Sequence, residues 1–170
     1  KEHHSLYRIV VAVDPSATSG ERSNDTGIIA AGVDENEHGY VLEDATVHDT
    51  PAVWGEEAVL LYDRLGADRI VGEVNHGGEM VGFVIATAAE KLYREGKRKS
   101  PHVAYTAVRA SKGKHTRAEP ISALYEQGRI HHVGILPKLE DQQCTWVPGE
   151  TSPDRLDAAV WGLTDLMLGG

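Results

Sequence analysis

Two short apolar runs, each interrupted by a single carboxylate, constrain this chain more than any other feature. Arg8 to Val13 reads RIVVAV and stops at Asp14; Arg69 to Val74 reads RIVGEV, with Glu73 its lone acid. Both are continuous, β-branched and brief, the pattern of strands buried on both faces of a sheet. Thr26 to Val33 and Gly39 to Val47 read as two further strands, separated by the acidic turn Asp34-Glu35-Asn36-Glu37. With Arg8 to Asp14 they predict a three-stranded antiparallel meander. Beyond it, strands and helices alternate. Thr50-Pro51 supplies an N-cap and a first-turn proline for a helix to about Leu65. A second helix, about Glu79 to Arg94, keeps Val81, Val84, Ile85, Ala88 and Leu92 at helical spacing. His102 to Val108 and Ile130 to Val133 complete the strands. Helices are expected at about Arg117 to Gln127, at Pro137 to Cys144, and from Ser152-Pro153 to about Leu168. This order describes an α/β domain with a mixed sheet, antiparallel strands then parallel ones, and helices on its faces.

At 170 residues and 41% hydrophobic, the chain is large enough to bury a core of its own. Residues 1–7 read as a linker or frayed end, and 8–170 as a single domain. No apolar stretch approaches the roughly 20 residues of a membrane helix, and no signal peptide is visible. The single cysteine, Cys144, excludes an internal disulfide and fits a reducing compartment. The first residue is Lys1 rather than Met, as in a piece of a longer protein. The net charge of −9 excludes a protein coated in positive charge, but the distribution is uneven. Between Arg94 and Arg117, eight Lys and Arg residues face only Glu95, so this segment carries +7 and the remainder −16. A basic strip on an acidic body suits a polyanion held in one groove.

Four carboxylates stand out against their surroundings. Asp14 closes an apolar strand, where acids also serve as turn initiators. Glu73 lies among Val71, Gly72 and Val74, where an unpaired carboxylate is costly to bury, so a basic partner or a cation must satisfy it. Asp157 interrupts the apolar run from Leu156 to Trp161 at the start of the last helix. Asp154 shares its helical face, although an acid in a first turn is also favoured by the helix dipole. Carboxylates at the ends of distant elements are what a magnesium or manganese site needs. Two such ions about 4 Å apart support phosphodiester cleavage. No CxxC or HExxH pattern points to zinc. His131 and His132, adjacent in a strand, face opposite ways and make a poor ligand pair. Neither a Walker A nor a GxGxxG pattern is present.

Taken together, VVAVDPSATSGERSNDTGI, IVGEVNHGG, SKGKHTRAEPISALYEQGRIHHVG, LEDQQCTW and SPDRLDAAVWGLTDL resemble the C-terminal nuclease domain of the large terminase subunit of tailed bacteriophages. The resemblance runs in order from Arg8 almost to the C-terminus. It implies an RNase H-like fold and an endonuclease, dependent on two Mg2+ or Mn2+ ions, that cuts concatemeric viral double-stranded DNA during genome packaging with little sequence specificity. It places the first acidic motif on Asp14 and the second on Glu73. The third falls in SPDRLDA, where Asp157 and Asp154 are both candidates; Asp157 is preferred because Asp154 has the stronger capping explanation. Asp25, in the turn Asp25-Thr26-Gly27, is a weaker candidate for an additional metal contact. Arg109, Lys112, Lys114 and Arg117 are expected to meet phosphates, giving salt-sensitive binding without sequence readout. The implied partners are an ATPase motor domain absent from this chain, a small terminase subunit and a portal. The implied setting is the host cell cytoplasm, on the procapsid rather than in the mature virion, with no membrane. A Holliday-junction resolvase or transposase-like nuclease would share the fold, and a non-catalytic DNA- or portal-docking module would share the surface. An actin-like or Hsp70-like nucleotide-binding module needs a duplicated domain that 170 residues do not hold.

Overall fold

A computed structural model describes residues 6–15, 25–74, 80–109, 114–147 and 154–168, with backbone alone at 114–116. Strands β1 (Leu6–Pro15), β2 (Asp25–Asp34) and β3 (Gly39–Asp44) form the expected antiparallel meander, and a short β4 (Val47–His48) pairs with the start of β2. Helix α1 (Pro51–Leu65) leads to β5 (Arg69–Glu73), which lies parallel to β1. Helix α2 (Met80–Arg94) leads to β6 (Tyr105–Val108), parallel to β5. Helix α3 (Lys114–Glu126) precedes β7 (Ile130–His132), parallel to β3; α4 (Pro137–Thr145) and α5 (Asp154–Met167) follow. The sheet runs β6-β5-β1-β2-β3-β7, a mixed sheet with helices on both faces.

Strand alternation divides the core in two. Val11, Val13, Ile28, Ala30 and Ile70 pack under α1 and α2 with Trp54, Leu61, Ile85 and Leu92. Val10, Ala12, Ile29, Ala31 and Val71 pack under α5 with Ala158, Ala159, Trp161 and Leu163. From Asp157 to Leu163 every residue of α5 is buried, because the helix lies on the sheet and is itself covered by α3 and α4. A hydrogen-bonded chain seats those two covering helices. The Tyr125 hydroxyl meets His132 Nε2 at 2.7 Å and accepts from the Gln143 side chain, while His132 Nδ1 meets Glu140 at 2.8 Å. Burial, with Glu140 nearby, pushes the Tyr125 hydroxyl up to about 12 despite the Gln143 bond, so it stays a neutral donor. His131 faces the other way and meets His38 at 2.9 Å, as adjacent strand positions require.

Several boundaries differ from the sequence expectation for local reasons. Leu6 and Tyr7, read as outside the domain, begin β1; Leu6 pairs with Asp34 across an irregularity in register. The strand expected from Gly39 to Val47 breaks in two. Its register shifts opposite Ala30 and Ala31, the Thr46 N–H turns to the Asp44 carboxylate, and the Ile28 N–H donates to Thr46 Oγ1. The strand expected from His102 shortens to begin at Tyr105. Arg98 donates to the carbonyls of Ser100 and His102 and holds that stretch as a loop. Helix α3 begins at Lys114 rather than Arg117, which puts Arg117 inside the helix. The N-cap expected at Ser152-Pro153 and the turns 16–24 and 75–79 lie outside the described residues.

Asp34 organises the β2–β3 turn. Its Oδ1 accepts from the N–H groups of Asn36 and His38, and Oδ2 from the Tyr40 hydroxyl. Burial alone would raise its pKa, but these bonds outweigh it and hold the carboxyl below its ordinary value of 3.8. A depressed native pKa stabilises the fold above the unfolded value and loses that contribution as pH falls through the native one. Urea titrations from pH 7 down through pH 4 and below are therefore expected to show a smaller acid-induced loss of stability in Asp34→Asn than in the parent. Equal losses in the two proteins would remove Asp34 from the acid response.

Candidate active site

Three placements, each dictated locally, bring the elements that carry the candidate residues to one end of the sheet. Parallel pairing matches Val10 to Arg69 and Val13 to Gly72, so the next residues, Asp14 and Glu73, lie side by side near the ends of neighbouring strands, whose backbones run about 4.8 Å apart. Alternation then sets their direction: Asp14 shares parity with Val10 and Ala12, and Glu73 with Val71, all on the α5 side. Asp14 also pairs across the antiparallel ladder with Gly27. A Cβ at Gly27 would overlap the main-chain carbonyl of Asp154 and lie 3.1 Å from the Ala158 Cβ. The first turn of α5, carrying Asp154 and Asp157, therefore rests on the strand beside Asp14. Asp14 is 8% and Asp157 6% exposed.

Ion pairs fix α5 along its length. Arg155 donates to Asp44 on β3 at 2.8 Å, and Arg69 at the start of β5 donates twice to Asp165. Both carboxylates are largely buried, so either pair, once broken, leaves a costly charge behind. The Leu156 N–H donates to the Gln142 side chain and ties the first turn to α4.

Glu73 has the basic partner that its apolar setting called for. Arg117 approaches it from α3, Nη1 to Oε1 at 3.8 Å, with the guanidinium 4.3 Å from the centre of the Trp161 ring on α5. The Arg117 side chain is 10% exposed, and its Nε is buried without a hydrogen-bond partner among the described residues. The sequence places Arg117 in a basic strip expected to meet phosphates; in the structure it faces inward. Trp161, one turn beyond Asp157 on α5, is the platform that sequence reading passed over. Asp25 is engaged elsewhere: its carboxylate meets His48 Nδ1 at 2.5 Å, because β4 pairs with the start of β2. Arg109 is exposed just beyond β6. Lys112 and the Lys114 side chain lie outside the described residues. Other members of the basic strip are neutralised internally: Arg98 binds Asp63 through two nitrogens, and Lys97 pairs with Glu95.

The donor chemistry fits a hard divalent cation: carboxylate oxygens alone, two of them on buried side chains, at one end of the sheet. Among the described residues, no three His, Cys, Asp or Glu side chains close to a spacing that would hold an ion. The Glu73 carboxylate is paired with Arg117 instead. Among the same residues, no helix is long and apolar enough to cross a membrane.

Solved structures share this architecture. The human cytomegalovirus terminase nuclease domain superposes with a TM-score of 0.61 at 16% identity, covering 91% of this chain and 81% of that one. The large terminase of a thermophilic bacteriophage gives 0.60 at 12% identity, covering 94% of this chain but 40% of the phage protein. A yeast mitochondrial Holliday junction resolvase gives 0.52 at 10% identity, over 93% of this chain and 78% of the resolvase. At these identities the likeness establishes the fold, which is RNase H-like. No curated protein matches by sequence. Residues 11–166 match the family described as the terminase RNaseH-like domain, a span from within β1 to the last turn of α5 that includes all four carboxylates discussed above. The chain belongs to the terminase RNase H-like domain family.

Proposed function

We propose that this domain is a divalent-metal-dependent endonuclease that cuts concatemeric double-stranded viral DNA during genome packaging. The observation that carries the reading is the convergence of Asp14, Glu73 and the first turn of α5 at one end of the sheet. Asp14, Glu73 and Asp157 would hold the cations, with Asp154 flanking them and Asp25 at the margin. Two Mg2+ or Mn2+ ions, if held there, would supply activation of the attacking water and stabilisation of the leaving oxygen. The strands carry Asp14 and Glu73 on paired backbone and α5 seats its first turn beside them, so cation binding would have to draw in side chains rather than whole elements. Arg109, Lys112 and Lys114 would supply positive charge for the phosphate backbone, with Arg117, set inward beside Glu73, adding to the local positive charge. The likeness to a nuclease domain also solved after soaking in manganese supports the choice of ion. In the whole protein an ATPase motor, a small terminase subunit and a portal would act with this domain.

The test is cleavage of supercoiled, linear and four-way-junction DNA by protein stripped of metal, with and without Mn2+. Mn2+-dependent cleavage of duplex DNA with no preference for junctions is expected, together with its loss in Glu73→Gln. A marked junction preference would point to a resolvase. Cleavage that survives Glu73→Gln would break the assignment of that residue.

A further inference from the structure

We infer that Arg117 is a positioning residue for Glu73, a built-in counter-cation that holds the carboxylate in the metal-free site and competes with a divalent ion for it. The inference rests on the metal-dependent reading above. Three observations carry it. The Arg117–Glu73 contact, at 3.8 Å, is too long for a hydrogen bond, so attraction between charges holds the pair and no directed bond locks it. The guanidinium is anchored independently of Glu73, over the Trp161 ring and nine-tenths buried. Among the described residues its Nε has no acceptor, so at that atom packing rather than a hydrogen bond holds the side chain. Glu73 can therefore turn away while Arg117 stays. A fixed positive charge at this point lowers the cost of gathering acids before metal arrives and weakens the affinity of any cation that follows. Glu73 is the carboxylate whose release from Arg117 would let the cluster close.

Calorimetric titration with Mn2+ compares the parent, Arg117→Gln and Arg117→Lys. Removing the charge is expected to tighten Mn2+ binding about tenfold, ~1.4 kcal/mol. The lysine variant, which keeps the charge, is expected to stay within about threefold of the parent. Mn2+ binding to Arg117→Gln as weak as the parent's, or weaker, overturns the inference. A second measurement needs no folded Gln variant: the buried Arg117 Nε–H gives a side-chain NMR signal, assigned by its absence from Arg117→Lys. Titrating the parent protein with Mg2+ is expected to shift that signal as Glu73 leaves, and a signal that stays put while Mg2+ binds overturns the inference. The two failures are separable. If the parent binds Mn2+ no better than Asp14→Asn does, the metal-dependent reading has failed; if it does bind better and Arg117→Gln brings no gain, only the role of Arg117 has failed.

Discussion

Asp14→Asn is expected to lower metal-dependent DNA cleavage by about a thousandfold while leaving the metal-free fold intact. The size follows from what the carboxylate contributes. A bound metal ion contributes several kcal/mol of charge stabilisation in the transition state, and a thousandfold loss corresponds to ~4 kcal/mol. Asparagine keeps the shape of the side chain and one acceptor oxygen but loses the negative charge that attracts the ion. The backbone has little reason to respond. Asp14 lies on β1, the strand paired with both β2 and β5, and the apolar residues before it are fully buried on the two faces of the sheet. The metal-free melting temperature is thus expected to move by no more than about 4 °C, roughly the equivalent of 1 kcal/mol for a chain of this size. Mn2+ should raise the melting temperature of the parent but not of the variant, since an ion stabilises only a state that binds it. Undiminished cleavage by Asp14→Asn, purified free of metal and then supplied with Mn2+, would remove Asp14 from the site.

The candidate carboxylates are legible in the sequence because burial and charge conflict within short runs. Asp14 and Glu73 stand out in RIVVAVD and RIVGEV for the same reason that those runs form β1 and β5: β-branched residues continue until an acid intrudes. Their adjacency was not legible. It depends on parallel pairing between strands some 59 residues apart, a separation spanned by the Ile9 N–H bond to the Asp68 carboxylate. Periodicity within a run carries no information about which distant run lies beside it. Arg117 is the converse case. A run of lysines and arginines suits a phosphate-binding surface, yet an α3 that begins a turn early points this residue inward onto Trp161 and Glu73. Sequence reading required a basic partner or a cation for Glu73, but not which one. The His48 partner of Asp25 was not legible either, because it depends on a separate β4 where the sequence reads Gly39 to Val47 as one strand.

Gly27→Ala is expected to disable the site from beneath, through a residue that contributes no side chain. A Cβ at position 27 would overlap the main-chain carbonyl of Asp154, and the obstacle is backbone, which cannot rotate aside. Either β2 or the first turn of α5 must move. Gly27 lies inside a ladder paired on one side with Asp14, whereas the helix begins at Asp154, so the helix end is the softer of the two. The displaced turn carries Asp154 and Asp157, and about 1 Å of misplacement can cost around a hundredfold in rate. Overpacking of this kind costs about 1–3 kcal/mol of stability, read as a lower urea midpoint with the slope unchanged. Gly162→Ala is the comparison that isolates the effect. It packs the same helix against the same sheet, but the nearest atom to its Cβ would be the Ala12 Cβ at 3.3 Å, a contact that a few tenths of an ångström relieve, with Ala31 and Val10 at an ordinary 3.9 Å. Gly162→Ala is therefore expected to lose some stability and keep most of its cleavage, while Gly27→Ala loses stability and at least about a hundredfold of cleavage. If the two variants lose stability alike and both still cut DNA, Asp157 is not held in place by the seat of α5 on β2. Loss of cleavage in Gly27→Ala alone would identify the bare backbone opposite Asp14 as the surface on which the third carboxylate is set.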